Sequence, residues 1–277
     1  MLEKLTTLLQ PHVPSFNRRR RGCPVYGVGA AKTGTHSLAA MFEPYVASEH
    51  EPDQIELIEL LLDREQTGVS RQLYRFLRER GKRHPLKVNA SQINIYLLGE
   101  ILELHPDAKF VLTTRHPLDW VRSIIDDSLR RDIGNSWRRF RDFRFGMPAK
   151  LGGPDDSLAR AGLYTLEGYF SYWSQAMRIP LGAIQNERLL IVRTEQLFDT
   201  SEQIADFCEI SGFVPDEKKS HAFANPFRSG LLGELGKGHV LSTMERVCGG
   251  YLRKHFSDID AVERFDALTQ EKSRNSG

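Results

Sequence analysis

Residues 25–37, VYGVGAAKTGTHS, constrain the fold more than any other stretch of the chain. Val25, Tyr26 and Val28 favour a strand. Gly27 and Gly29 permit the backbone angles and the close approach that a tight turn requires. Lys32 is followed by Thr33, Gly34 and Thr35, after which Leu38, Met41 and Phe42 recur at helical spacing. The segment therefore reads as a strand, a glycine-rich turn and a helix that starts at the lysine. A free helix N-terminus offers unbonded N–H groups and the positive end of the helix dipole. With the Lys32 ammonium and two threonine hydroxyls, such a turn is an anion cradle.

The same rhythm continues downstream, and strands alternating with helices imply a parallel sheet. Short strands are expected at 46–48, 86–88, 109–113 and 189–193. Helices are expected at 55–63, 70–80, up to 105, from Pro117 onward, and at 161–183, 202–211 and 241–256. Residues 131–160, rich in Arg, Asp, Gly and Pro, read as a long substrate loop or lid, and 225–238 as a second loop. A chain of 277 residues with 40% hydrophobic content can bury one large core. The expected architecture is α/β: a single three-layer domain over 23–260, with a central parallel sheet and helices on both faces. An N-terminal arm, 1–22, precedes it, and a frayed tail, 261–277, follows.

Net charge is only +2, so basic charge matters where it clusters. The four arginines at 18–21 form the densest cluster and read as a solvated arm. Cys23, Cys208 and Cys248 are an odd number with no close pair, which argues for reduced thiols and against a zinc site. No apolar run reaches membrane-spanning length, and no leader pattern opens the chain, so a cytoplasmic enzyme is expected.

The nucleoside triphosphate P-loop needs Gly, four residues, then Gly-Lys-Ser/Thr. Tyr26 and Ala31 occupy its two flanking glycine positions, so that pattern fails. Gly29-Ala30-Ala31-Lys32-Thr33-Gly34-Thr35 instead resembles the 5′-phosphosulfate loop of sulfotransferases that use 3′-phosphoadenosine 5′-phosphosulfate. Pro106-Asp107-Ala108-Lys109, an apolar strand, Arg115-His116-Pro117 and Ser123 eight residues after the arginine resemble the same family's 3′-phosphate strand and helix. Gly236-Lys237-Gly238 is similar to the family's late glycine-basic loop over that phosphate. Thr194 stands where many relatives place a tyrosine beside adenine.

The resemblance spans roughly 24–256 and implies sulfuryl transfer to a hydroxyl or amine of a small molecule, lipid or carbohydrate. It implies no metal, and adenosine 3′,5′-bisphosphate as the product. Donor contacts fall to Ala31, Lys32, Thr33, Gly34, Thr35 and His36 at one end, and to Arg115, Ser123, Lys237 and Gly238 at the other. The acceptor must lose a proton, and Glu49, His50 and Glu51 are the candidate bases. Glu51 lies nineteen residues after Lys32 and precedes Pro52, as a glutamate does in carbohydrate members, so Glu51 is placed first and His50 second. Lys87, Asn89 and Ser91 are similar to a polar segment that lines the acceptor. Two other readings stay open. One is a P-loop kinase-like phosphotransferase. The other is a basic nucleic-acid-binding protein that uses residues 18–21 and 138–144.

Overall fold

The computed structural model describes residues 24–220 and 227–270. The expected arm, with its four arginines and Cys23, and the last seven residues lie outside them. In chain order the elements are β1 (Val25–Val28), α1 (Thr35–Phe42), β2 (Ser48–His50), α2 (Gln54–Thr67), α3 (Arg71–Arg83) and β3 (Val88–Ala90). A 3₁₀ turn at Gln92–Tyr96 leads to α4 (Leu98–Leu104), β4 (Lys109–Thr114), α5 (Pro117–Arg130), α6 (Asn135–Phe145), α7 (Asp156–Arg160) and α8 (Leu166–Ala183). Then come β5 (Leu189–Arg193), α9 (Ser201–Phe207), α10 (Glu217–Ser220), α11 (Leu231–Glu234), α12 (Lys237–His255) and α13 (Ala261–Gln270).

The five strands form one sheet in the order β2-β3-β1-β4-β5, and every pairing is parallel. Both faces are covered, as parallel sheets require. Alternation along β1 and β4 sends Val25 and Val111 to one face, where they meet Leu38, Met41 and Phe42 of α1 and Ile204 of α9. Tyr26, Val28, Phe110 and Leu112 face the other way, into a larger core with Leu57 and Leu61 of α2, Trp120 of α5 and Phe170 of α8. Gly27 lets α1 lie close on the sheet, because a Cβ there would come within 2.7 Å of the Ala90 Cβ and 2.8 Å of Leu38.

Several expectations shift. α1 begins at Thr35, because Lys32 has a φ of 66° and Gly34 a φ of 101°, both outside helical geometry. β2 covers Ser48–His50 and β3 covers Val88–Ala90, each two residues later than expected. The 131–160 loop is largely helical, with α6 packed against α2 and α8. α12 starts at Lys237, so Gly236-Lys237-Gly238 is a helix start and not a loop. Residues 261–270, expected to fray, form α13 with Phe265 and Leu268 buried. Among the described residues no helix is long and apolar enough to cross a membrane. Cys208 and Cys248 are buried, and burial raises the Cys248 thiol.

Candidate active site

The carboxyl ends of all five strands point the same way, and the site is built along that edge, where open α/β sheets bind ligands. From β1 comes the turn 29–34. Its shape is held from several sides. The Ala31 N–H donates to the Tyr172 hydroxyl at 3.1 Å, and Trp120 Nε1 donates to the Ala31 carbonyl at 2.7 Å. Thr33 Oγ1 donates to the Ala30 carbonyl at 2.7 Å and lies 2.9 Å from Thr113 Oγ1 of β4. Gly34 has a φ of 101°, and a Cβ there would meet Leu197 at 2.6 Å, so only glycine fits. The N-cap of α1 is Gly34, which has no side chain with which to cap the first turn.

From β4 come Thr114 and Arg115. The Thr194 hydroxyl, at the end of β5, reaches the Thr33 carbonyl at 2.5 Å and the Thr114 carbonyl at 2.9 Å. One side chain thus ties the lysine turn to the strand end that carries Arg115. Thr194 is therefore a brace for the loop, whatever it does toward a ligand. Burial pushes the Arg115 guanidinium below its usual range, and the Trp173 indole fixes its carbonyl at 2.9 Å. Ser123 lies one turn before Asp127 on α5, and residues four apart share a helix face. Asp127 Oδ1 is 3.2 Å from Lys32 Nζ and 3.2 Å from Arg131 Nε. Lys32 therefore reaches the face of α5 on which Ser123 lies one turn earlier.

From β2 come His50 and Glu51. The rings of His36 and His50 stack at 4.2 Å with 7° between planes. Thr35 Oγ1 and His50 Nε2 share a hydrogen bond at 3.2 Å. Burial first, then neighbouring charge, lowers both histidines to about 4, so both are neutral near pH 7. Glu51 has a φ of 51° and Asp53 one of 54°, a strained left-handed turn of the kind that accompanies functional sites. The turn sets the Glu51 carboxylate 3.8 Å from His50 Nε2 and within 2.6 Å of Gln92 Nε2. Burial raises the Glu51 carboxyl above the usual carboxylate range. Glu49 points elsewhere and pairs with the exposed His84 at 2.5 Å.

The expected acceptor segment is not assembled as read. Lys87 precedes β3 and lies at its amino end, the opposite end from Ser91. Asn89 and Ser91 are buried and structurally engaged. Asn94 Nδ2 bonds the Asn89 carbonyl at 3.0 Å, and Ser91 Oγ caps the 3₁₀ turn through the Ile93 N–H at 3.0 Å. Lys237 is held between both Asp266 carboxylate oxygens at 2.7 Å, beside Gly238 in the first turn of α12. The segment that closes on α5 is instead 228–230. Ser229 bonds Asp126 through its N–H at 3.0 Å and its hydroxyl at 2.6 Å. Arg122 and Arg228 line the small crevice beside it. The 138–144 arginines form no continuous basic face, since Arg144 is buried and Arg139 pairs with Glu59 at 2.6 Å.

What remains of the expected lid is 146–155, which displays Met147 and Leu151. It borders a groove of about 580 Å³ between α6, α8 and α12, where His239 pairs with Asp155 at 2.9 Å. Among the described residues no cluster could hold a metal ion.

Residues 24–149, from β1 through the end of α6, match the family model described as a sulfotransferase domain. This stretch belongs to the sulfotransferase family. No curated protein sequence matches the chain. Solved structures similar to this chain include a sulfotransferase from Alicyclobacillus acidocaldarius, at 17% identity and a TM-score of 0.42, covering 81% of this chain and 95% of that one. The sulfotransferase domain of the Synechococcus PCC 7002 olefin synthase is 14% identical with a TM-score of 0.38, covering 95% of this chain and 98% of that one. Mouse sulfotransferase SULT7A1, complexed with PAP, is 16% identical with a TM-score of 0.36, covering 91% and 85%.

Proposed function

We propose that this sulfotransferase takes its sulfuryl group from 3′-phosphoadenosine 5′-phosphosulfate and delivers it to a hydroxyl or amine of a small molecule, lipid or carbohydrate. The observation that carries the reading is the union of the Lys32 turn with the Arg115 and Ser123 region. Thr194 ties the Lys32 turn to the strand end that precedes Arg115, and Lys32 pairs with Asp127, one turn beyond Ser123 on α5. A donor with phosphate at both ends needs such a pair of cationic regions.

The residues fit the donor by their chemistry. Lys32, the Thr35 hydroxyl and the first-turn N–H groups of α1 suit the 5′ end, whereas the buried Thr33 hydroxyl donates to the Ala30 carbonyl and shapes the turn. Arg115 and Ser123 offer a guanidinium fork and a hydroxyl to the 3′-phosphate. Arg122, whose charge bears on Arg115, is a further cation at this end, to which the resemblance also assigns Lys237 and Gly238. The donor supplies, when bound, a sulfuryl group whose bond to phosphate breaks with its electron pair passing to the phosphate oxygen. Lys32 and the helix-end N–H groups meet that growing charge without having to reorganise. Glu51 takes the acceptor's proton as the acceptor atom bonds to sulfur. His50, neutral and adjacent, is the second base. None of these roles requires a metal.

Calorimetric titration with adenosine 3′,5′-bisphosphate in the absence of metal tests the donor assignment. Tight binding supports it. Binding of ATP–Mg in preference would replace it with phosphoryl transfer, and salt-sensitive binding of nucleic acid unaffected by Lys32→Ala would replace it with a nucleic-acid role. Incubation with labelled donor and a panel of hydroxyl and amine compounds then identifies the acceptor class.

A further inference from the structure

Gln92 and Arg144 take no part in the chemistry above, yet they lie directly behind Glu51. Arg144 is 7% exposed. Its guanidinium carbon sits 4.4 Å from the Phe140 ring centre, 4.9 Å from Phe145, 5.2 Å from Tyr172 and 5.9 Å from Trp137. A cation enclosed by rings gains from their faces but still needs a polar partner. Here that partner is an amide. Arg144 donates to Gln92 Oε1, and Gln92 Nε2 donates to Glu51 Oε1 at 2.6 Å. A guanidinium can only donate and a carboxylate can only accept, so the amide between them is held in one orientation. Bonds in such a row polarise one another in a low-dielectric interior.

We infer that Arg144, acting through Gln92, is a positioning residue for Glu51: the pair fixes Oε1 and leaves Oε2 to the acceptor's proton. This rests on Glu51 being the base of the proposed reaction. The other groups that face Glu51 are His36 from α1, His50 from β2, Arg131 after α5 and Tyr172 from α8, whose phenol burial keeps neutral. The two histidines are neutral near pH 7, and the Arg131 side chain is 59% exposed, so Arg144 is the buried cation that opposes desolvation. The same arginine adjoins Tyr172, whose hydroxyl holds the Ala31 N–H, so base and phosphate turn share one support.

The test is a carboxyl-carbon NMR titration of the full chain labelled at glutamate, with the Glu51 signal assigned by its loss in Glu51→Gln. Wild type is compared with Gln92→Met, Arg144→Met and Arg144→Lys. Gln92→Met and Arg144→Met should raise the Glu51 midpoint by about one pH unit, and Arg144→Lys should recover part of the shift. Gln92→Met should meanwhile change affinity for adenosine 3′,5′-bisphosphate by less than about threefold. An unmoved midpoint in a Gln92→Met protein with wild-type melting temperature overturns the inference. Arg144→Met may be replaced by Gln92→Met alone if it does not fold. No transfer is needed for the measurement, so failure of the sulfotransfer reading would show separately, as absence of turnover with labelled donor.

Discussion

At the scale of single residues the assignments separate cleanly by measurement. Lys32→Ala should abolish transfer, and Arg115→Ala should act mainly through weaker binding of adenosine 3′,5′-bisphosphate, both read by calorimetry beside turnover. Glu51→Gln should slow turnover on the order of 10²–10⁴-fold while leaving nucleotide affinity in place. Retained activity would transfer the role to His50. Because burial raises Glu51, the basic form needed for turnover should appear at a higher pH than for an ordinary glutamate. The rising limb of the rate profile should therefore lie above the usual carboxylate range, and Glu51→Gln should remove it. The strand-end positions of Lys32 and Arg115 were legible because each belongs to a contiguous motif beside its own strand. The acceptor segment was not. A two-residue displacement of β3 moved Lys87 to the far end and put Asn89 and Ser91 to work inside the fold. Gln92 and Arg144 were invisible for another reason: they are 52 positions apart and meet only in space.

Elements taught a different lesson. The strand and helix alternation fixed the parallel sheet, yet α6 read as loop because its inward stripe of Trp137, Phe140 and Arg144 contains a cation where an apolar residue is expected. The fold accepts the arginine by surrounding it with rings. α13 was lost among polar residues at the end of the chain, although Arg264 clasps Asp119 of α5 through two nitrogens. Leu268 is 5% exposed against the main core. Leu268→Ala should cost about 2–3 kcal/mol, measured by denaturant unfolding. A chain ending at residue 260 should melt lower still.

For the molecule as a whole, acid is the expected weakness. His50 and the buried His116 are both lowered to about 4, against 6.5 when unfolded. Their contribution is complete above pH 6.5 and disappears as pH falls toward 4, because the unfolded chain binds protons that the folded chain refuses. Each is worth on the order of 3 kcal/mol across that window. A melting series from pH 7 to 4 should fall steeply, and His50→Gln should flatten part of the fall. The span matching the family ends at residue 149, yet Tyr172 and Thr194, which shape the lysine turn, lie beyond it. The hydroxyl that joins the lysine turn to its partner strand is thus among the later parts of the sheet to leave the ribosome. On the proposed function, a nascent chain holds Lys32, Arg115 and Ser123 before Thr194 can tie turn to strand, so nucleotide affinity should rise once β5 closes the row.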